Sequence, residues 1–271
     1  MTGTPLADRN TVDVGYPGRF RAVGVVLQAR GKGPELCLGS IASSLPPGCS
    51  GPAIVGWSWD RLPHSDQAGS RWGSYVVLGR YDGTRFTLTQ PATAATAADS
   101  PRVGMDVPDL TTPCPPPPRG WTPPDPARAT NDTFQAATEL ARRQAGFGTL
   151  WIDQRLDPAA TPPDPSGPPN DSKRFVLNVT TTGDIATMQR MVRTVWGGSL
   201  CVSPAIRTAG ELETTMKALL STPGLLAASP DDRSGQVVLT LVRATTQLRR
   251  DLDARFGAGT VRLLGALAPL D

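Results

Sequence analysis

Apolar residues recur along this chain in two rhythms. From Phe20 to Thr89 they come in short runs rich in Val, Leu, Ile and aromatic residues: Phe20–Ala29, Glu35–Ile41, Ala53–Trp59, Ser74–Tyr81 and Thr84–Thr89. Each run is bounded by Gly, Pro or Asp, the pattern of short strands. The last two are joined by Tyr81-Asp82-Gly83-Thr84, and Asp-Gly tolerates the positive φ values of a tight hairpin turn. Five such strands predict a small closed β-barrel over 18–91, OB-like because five is that barrel's strand count.

Beyond Thr130 the spacing turns helical. Phe134, Ala137, Leu140 and Ala141 follow a cap at Thr130 or Asn131, and Ile185, Met188, Met191, Val192 and Val195 follow Asp184. Leu212, Met216, Leu219 and Leu220 follow the capping box Thr208-x-x-Glu211, and Leu248, Leu252 and Phe256 precede Gly257, a C-terminal stop. Between these helices lie strand-like runs at Phe147–Asp153, Lys173–Thr181, Ser199–Ile206, Gly224–Ser229, Gln236–Arg243 and Thr260–Leu267. From Ser199 the order is β-α-β-β-α-β, which predicts a ferredoxin-like sandwich at 199–271. The expected fold is α+β: a flexible arm at 1–17, the barrel at 18–91, a Pro-rich linker at 92–128 and an α+β domain at 129–271. The linker is extended because Pro fixes φ and removes donors. A second loop rich in Pro and Asp spans Asp157–Ser172.

Composition adds compartment and partners. Net charge is +3, and the basic residues are nearly all Arg, with Lys only at Lys32, Lys173 and Lys217. With abundant Ala, Pro and Gly, this usage marks a GC-rich genome. No dense basic run is present, so no nucleic-acid partner is expected. No apolar run reaches the ~18–20 residues that span a bilayer, so no transmembrane segment is expected. Met1–Phe20 shows no basic stretch followed by an apolar one, which by itself is the pattern of a cytoplasmic chain.

The cysteines point the other way. Cys37 and Cys49 flank a Pro-Pro-Gly turn, neither lies in a Cys-x-x-Cys, and His64 is the single histidine. A disulfide fits better than zinc, and with it an oxidising, extracytoplasmic compartment. Cys114, in the proline tract, and Cys201, in a predicted strand, form a second candidate pair that would tie the linker to the C-terminal domain.

Trp57 and Trp59 are two apart on a predicted strand and so share a face. That face either fills the barrel core or forms an aromatic platform for an extended polymer; Trp72 can join either arrangement. Trp121 is expected to dock the linker on a neighbouring domain.

Familiar catalytic patterns are missing. A Ser-His-Asp triad has only His64 to draw on, in the turn-like Leu62–Asp66. Gly56-Trp57-Ser58-Trp59-Asp60 lacks the final Gly of a nucleophile elbow, and Gly146-Phe147-Gly148 lacks the third Gly of a dinucleotide fingerprint. Gly31-Lys32-Gly33 reads as a turn, and Asp231-Asp232 as a solvated hairpin rather than a metal site. Neither a metal nor an organic cofactor is expected.

Two resemblances extend this picture. The stretches Glu35–Asp60, Arg71–Thr89 and Leu177–Ser203 are similar to a group of uncharacterised exported or lipid-anchored actinobacterial proteins. That resemblance implies an extracytoplasmic location and supplies no activity. The segment Gly224–Leu263 resembles the prodomain lobes of bacterial chymotrypsin-like secreted proteases, through an Asp-containing turn, a Val-rich strand, a helix and a Phe-Gly before the last strand. It implies a chaperone or inhibitor of a protease acting in trans. The function expected first is a non-enzymatic, extracytoplasmic binding or accessory protein whose partner is a protein or a cell-envelope component.

Overall fold

A computed structural model describes residues 6–39, 44, 47–49, 51–99, 110–154, 171–231 and 233–270. Several expectations fall outside the described residues: residues 1–5 of the arm, Pro46 of the Pro-Pro-Gly turn, 100–109 of the linker, 155–170 of the second loop, and Asp232. The fold is mixed α and β. Contacts group the described residues into two units: one drawn from 6–106, 218–229 and 238–271, the other from 107–217 and 230–237.

The first unit is built on a closed five-stranded barrel. A short strand β1 (Thr11–Val12) precedes the barrel strands β2 (Phe20–Gln28), β3 (Glu35–Cys37) and β4 (Ala53–Val55). There follow β5 (Ser65–Gln67), β6 (Ser70–Tyr81), β7 (Arg85–Leu88) and β8 (Thr93–Ala94). Hydrogen bonding runs β2-β3-β4-β7-β6 and returns from β6 to β2, while β5 and β8 add to β6 outside the ring. The closing pair is the longest, from Phe20 opposite Gly79 to Gln28 opposite Arg71, and β4 with β7 is the one parallel pair of the ring. Alternation decides what fills the interior: Phe20, Ala22 and Val26 of β2, Leu36, Ile54, Tyr75, Val77 and Phe86 are buried together. Each large side chain removed from water contributes roughly 1.5–3 kcal/mol against chain entropy. Gly24 lies in the inward register, and a Cβ there would sit 2.5 Å from the Cys37 carbonyl oxygen. Glycine lets two curving strands pass that closely.

The strand expected over Ala53–Trp59 is cut short. Gly56, at φ +82°, turns the chain out of β4 after Val55, so Trp57 and Trp59 lie in a loop. The arm expected at 1–17 also differs from what is observed over its described part. Thr11 and Val12 pair in parallel with Ala244 and Thr245, Arg9 bridges Leu264, and the Asn10 side chain donates to the Gly265 carbonyl. Polar side chains made this segment look loose, yet they and its backbone are what attach it.

In the second unit, α1 (Asn131–Arg142) is capped by Thr130, β9 (Phe147–Asp153) pairs antiparallel with β10 (Val176–Thr181), and α2 (Ile185–Arg193) is capped by Asp184. Strand β11 (Ser199–Pro204) then pairs in parallel with β10. A parallel pair needs a crossover, and α2 supplies it. One face of the sheet carries Leu177, Val179, Leu200 and Val202 against the helices. Trp196, fully buried, stacks on Phe175 at 5.8 Å and meets Phe134 edge-on.

The remaining elements are α3 (Ala209–Leu219), β12 (Leu225–Asp231), β13 (Gln236–Leu241), β14 (Ala244–Thr245), α4 (Thr246–Phe256), β15 (Val261–Gly265) and β16 (Ala268–Pro269). The Thr208–Glu211 box opens α3 as expected, and Gly257 at φ +86° closes α4. The element order β11-α3-β12-β13-α4-β15 is the expected one, but the pairing is not that of a ferredoxin-like sheet. β11 belongs with β10 and β9, whereas β12, β13 and β15 form a separate sheet in that order. Element order is a local property; β10 offered β11 a parallel partner that order alone could not weigh. Strand β16 pairs with barrel strand β2, Ala268 opposite Arg21.

Candidate functional site

Cys37 and Cys49 are joined, as are Cys114 and Cys201, each with Cα atoms 5.8 Å apart. Disulfides persist in oxidising compartments, so this chemistry fits an environment outside the cytoplasm. No helix among the described residues is long and apolar enough to cross a membrane.

The loop after β4 gathers the expected tryptophans at one end of the barrel. Trp57 and Trp59 are both half-buried on the barrel core, and Ser58 and Asp60 between and after them are exposed. The two indoles meet edge-to-face at 5.2 Å, and Tyr75, pointing inward from β6, meets Trp57 at 4.9 Å and Trp59 at 6.1 Å. His64 packs on Trp59 at 5.1 Å, and its Nδ1 lies 2.8 Å from the Leu62 carbonyl oxygen. The Tyr75 hydroxyl donates to the Pro63 carbonyl at 2.6 Å, and burial raises its pKa above the usual phenol value. The indole N–H of Trp59 donates to Oε1 of Gln28, at the end of β2. The Trp57 Nε1 is buried without a hydrogen-bond partner. The pair is neither a sealed core nor an open platform. It plugs the barrel end and leaves part of its surface in solvent.

Gln28 also lines a polar recess of about 340 Å³ with Ala29, Arg30, Gly31, Asp66, Gly69 and Arg71. Arg71 Nε donates to Asp66 at 3.1 Å, and both side chains are about half exposed. The recess therefore offers cationic donors and a carboxylate acceptor beside aromatic surface. Its frame is strained. Among the described residues three non-glycine positions have positive φ, and Arg61 at +61° and Ala68 at +53° fall within this loop and hairpin. Non-glycine residues in that region cost of order 1–3 kcal/mol and concentrate at functional sites.

Trp72 lies elsewhere. It is half-buried on β6 opposite Leu27 and Ser65, an odd number of residues from Tyr75 and so on the other face of the strand. No ring contact among the described residues joins it to Trp57 or Trp59. Trp121 is half-buried. Gln28, Arg30, Asp66, Arg71 and Tyr75 were not anticipated. The inward alternation of Tyr75 with Val77 was a usable cue for Tyr75; nothing local marked the others. No group of three or more His, Cys, Asp or Glu side chains among the described residues is placed to hold a metal.

No protein-family model matches the chain, and no curated protein matches it.

Proposed function

We propose that the barrel unit is an OB-like, non-enzymatic binding module that works outside the cytoplasm on an extended, polar cell-envelope polymer. The observation that carries this reading is the joining of aromatic cluster and polar recess through Gln28 at one barrel end. In chain order the ring strands run first-second-third-fifth-fourth, with third and fifth parallel, and barrels of this kind bind oligosaccharides through the second and third strands and the adjoining loops. Here the loop between the first two supplies Ala29, Arg30 and Gly31, and the chain leaving the third supplies Trp57 and Trp59. Aromatic ring faces pack on sugar C–H groups, Arg30 and Arg71 donate to hydroxyl and carboxylate groups, and Asp66 accepts from hydroxyls. The two disulfides and the resemblance to exported actinobacterial proteins support the location.

The test is co-sedimentation of the purified chain with insoluble cell-wall polysaccharide. Retention of the native chain, lost at least about tenfold in a folded Arg30→Glu/Arg71→Glu variant, is expected; tenfold corresponds to about 1.4 kcal/mol. Equal retention of the variant, or no retention of the native chain by any envelope polymer, overturns the reading.

A further inference from the structure

The sheet of the second unit has a face that α1 and α2 do not cover. It carries Trp151 and Asp153 of β9, Val176, Asn178 and Thr180 of β10, and Ser199 and Cys201 of β11, with Trp151, Asn178 and Cys201 in one cross-strand row. For a sheet face this is unusually polar, and Asn178 and Ser199 are 0% and 2% exposed. The segment Leu110–Cys114 runs across it. The Leu110 carbonyl accepts from the Trp151 indole at 3.1 Å, the Thr112 N–H donates to Asp153 at 2.7 Å, and the Thr112 hydroxyl accepts from the Asn178 amide at 3.2 Å. Beyond these, Cys114 is bonded to Cys201.

Each of those contacts is one that an extended peptide makes with a receptor: a backbone carbonyl, and two residues on a backbone N–H and the hydroxyl of the same residue. The fit is incomplete. Asn178 Oδ1, Ser199 Oγ and the Nη1 of Arg233, whose guanidinium stacks on Trp151 at 4.3 Å, are buried without hydrogen-bond partners. A buried polar group left unpaired is costly, so a segment that satisfied these groups would bind better than the one in place. Leu110, Thr111 and Pro113 are exposed, so the segment is anchored by few apolar contacts.

We infer that Leu110–Cys114 is a displaceable strap, clasped by the Cys114–Cys201 disulfide, over a groove that recognises an extended, hydroxyl-bearing peptide of another protein. Release is a thiol–disulfide exchange. A dithiol attacks Cys114 Sγ, the S–S bond breaks, Cys114 and Cys201 take up two electrons and two protons as thiols, and the dithiol leaves as its own disulfide. This groove is separate from the barrel-end site, and the proposal does not depend on that reading.

The test uses the full chain and a labelled synthetic peptide copying residues 109–117 with serine in place of Cys114. A Cys114→Ser/Cys201→Ser variant is expected to bind this peptide below about 1 mM while the oxidised native chain does not. Adding Asp153→Ala, which removes the acceptor of the Thr112 N–H, is expected to abolish that binding. Hydrogen exchange of the Thr112 amide in the double variant should be about tenfold faster or more, with the β10 and β11 amides still protected. A Thr112 amide as protected without the disulfide as with it overturns the strap, and a released strap with no peptide binding at about 1 mM overturns the groove. Should the double variant not fold, Asp153→Ala in the disulfide-bonded chain should speed reduction of Cys114–Cys201 by dithiothreitol severalfold; an unchanged rate overturns the proposal.

Discussion

The indole N–H of Trp59 donates to the Gln28 side chain, tying the loop after β4 to the end of β2. Gln28 in turn donates to the Lys32 carbonyl at 3.2 Å, so one side chain joins the turn between β2 and β3 to the loop after β4. Gln28→Ala is expected to cost about 1 kcal/mol. Trp59→Ala, at a half-buried site, should cost about 2–3 kcal/mol, below the range for a sealed core. The double variant should fall short of the sum by about 0.5–1 kcal/mol in urea unfolding. Strict additivity would mean that the loop is not held by this bond.

Ala68 and Gly69 form the two-residue turn between β5 and β6, with Gln67 opposite Ser70 and both turn residues at positive φ. That is the geometry of a type I′ turn, for which Asn-Gly is the favoured pair. Ala68→Asn should therefore stabilise the chain by about 1 kcal/mol, seen as a rise in Tm. An unchanged or lower Tm would show that the turn is not strained.

The Cys37–Cys49 bond closes a loop of 12 positions within the barrel unit. Replacing both cysteines by serine should remove about 3 kcal/mol in the chain-entropy picture. Denaturant titration of the double variant under non-reducing conditions measures it, with a loss well under 1 kcal/mol as the contrary result.

Helix caps and turns predict the response to acid. Hydrogen bonds from Thr187 hold the Asp184 carboxyl below its ordinary pKa, those from Thr208 do the same for Glu211, and backbone N–H groups of Arg85 and Thr84 do so for Asp82. Each group's folded pKa is depressed, so its contribution is complete above the ordinary carboxylate range and is lost as pH falls through the folded value. Tm should be flat from neutrality to about pH 5 and decline below about pH 4. Asp184→Asn should flatten part of that decline, and an Asp184→Asn curve parallel to the native one would exclude this cap as a source.

Local chemistry was legible in the sequence where the structure depends on it. Thr130, Asp184, Thr208 and Gly257 cap the helices as their side chains, or the lack of one, dictate. Phe20, Ala22 and Val26 alternate into the barrel because β2 is long enough for a period of two to show. Trp57 and Trp59 both pack on the barrel core, but in a loop, because Gly56 had already ended the strand on which their spacing would have put them on one face. What local chemistry does not encode is which strand lies beside which. Nothing in Ser199–Pro204 distinguishes pairing with Val176–Thr181 from pairing with Gln236–Leu241, since both mix Val and Leu with polar residues and are of equal length. The recess was hidden for the same reason: Arg30 and Arg71 meet only because β2 and β6 close the ring.

The pairing of distant segments around the barrel also sets an order of events in the making of the chain. Arg262 donates to the Ala7 carbonyl across 255 positions, and β16 completes its pairing with β2 through Ala268 and Pro269. At ~5–20 residues per second, about a quarter of a minute or more of synthesis separates the emergence of these partners. The ring strands leave the ribosome well before the segments that pair with β1 and with the outer edge of β2, Ala244–Thr245 and Ala268–Pro269. The nascent barrel therefore spends that interval with open strand edges, and it is the arrival of Ala244–Pro269, rather than closure of the ring, that completes these pairings.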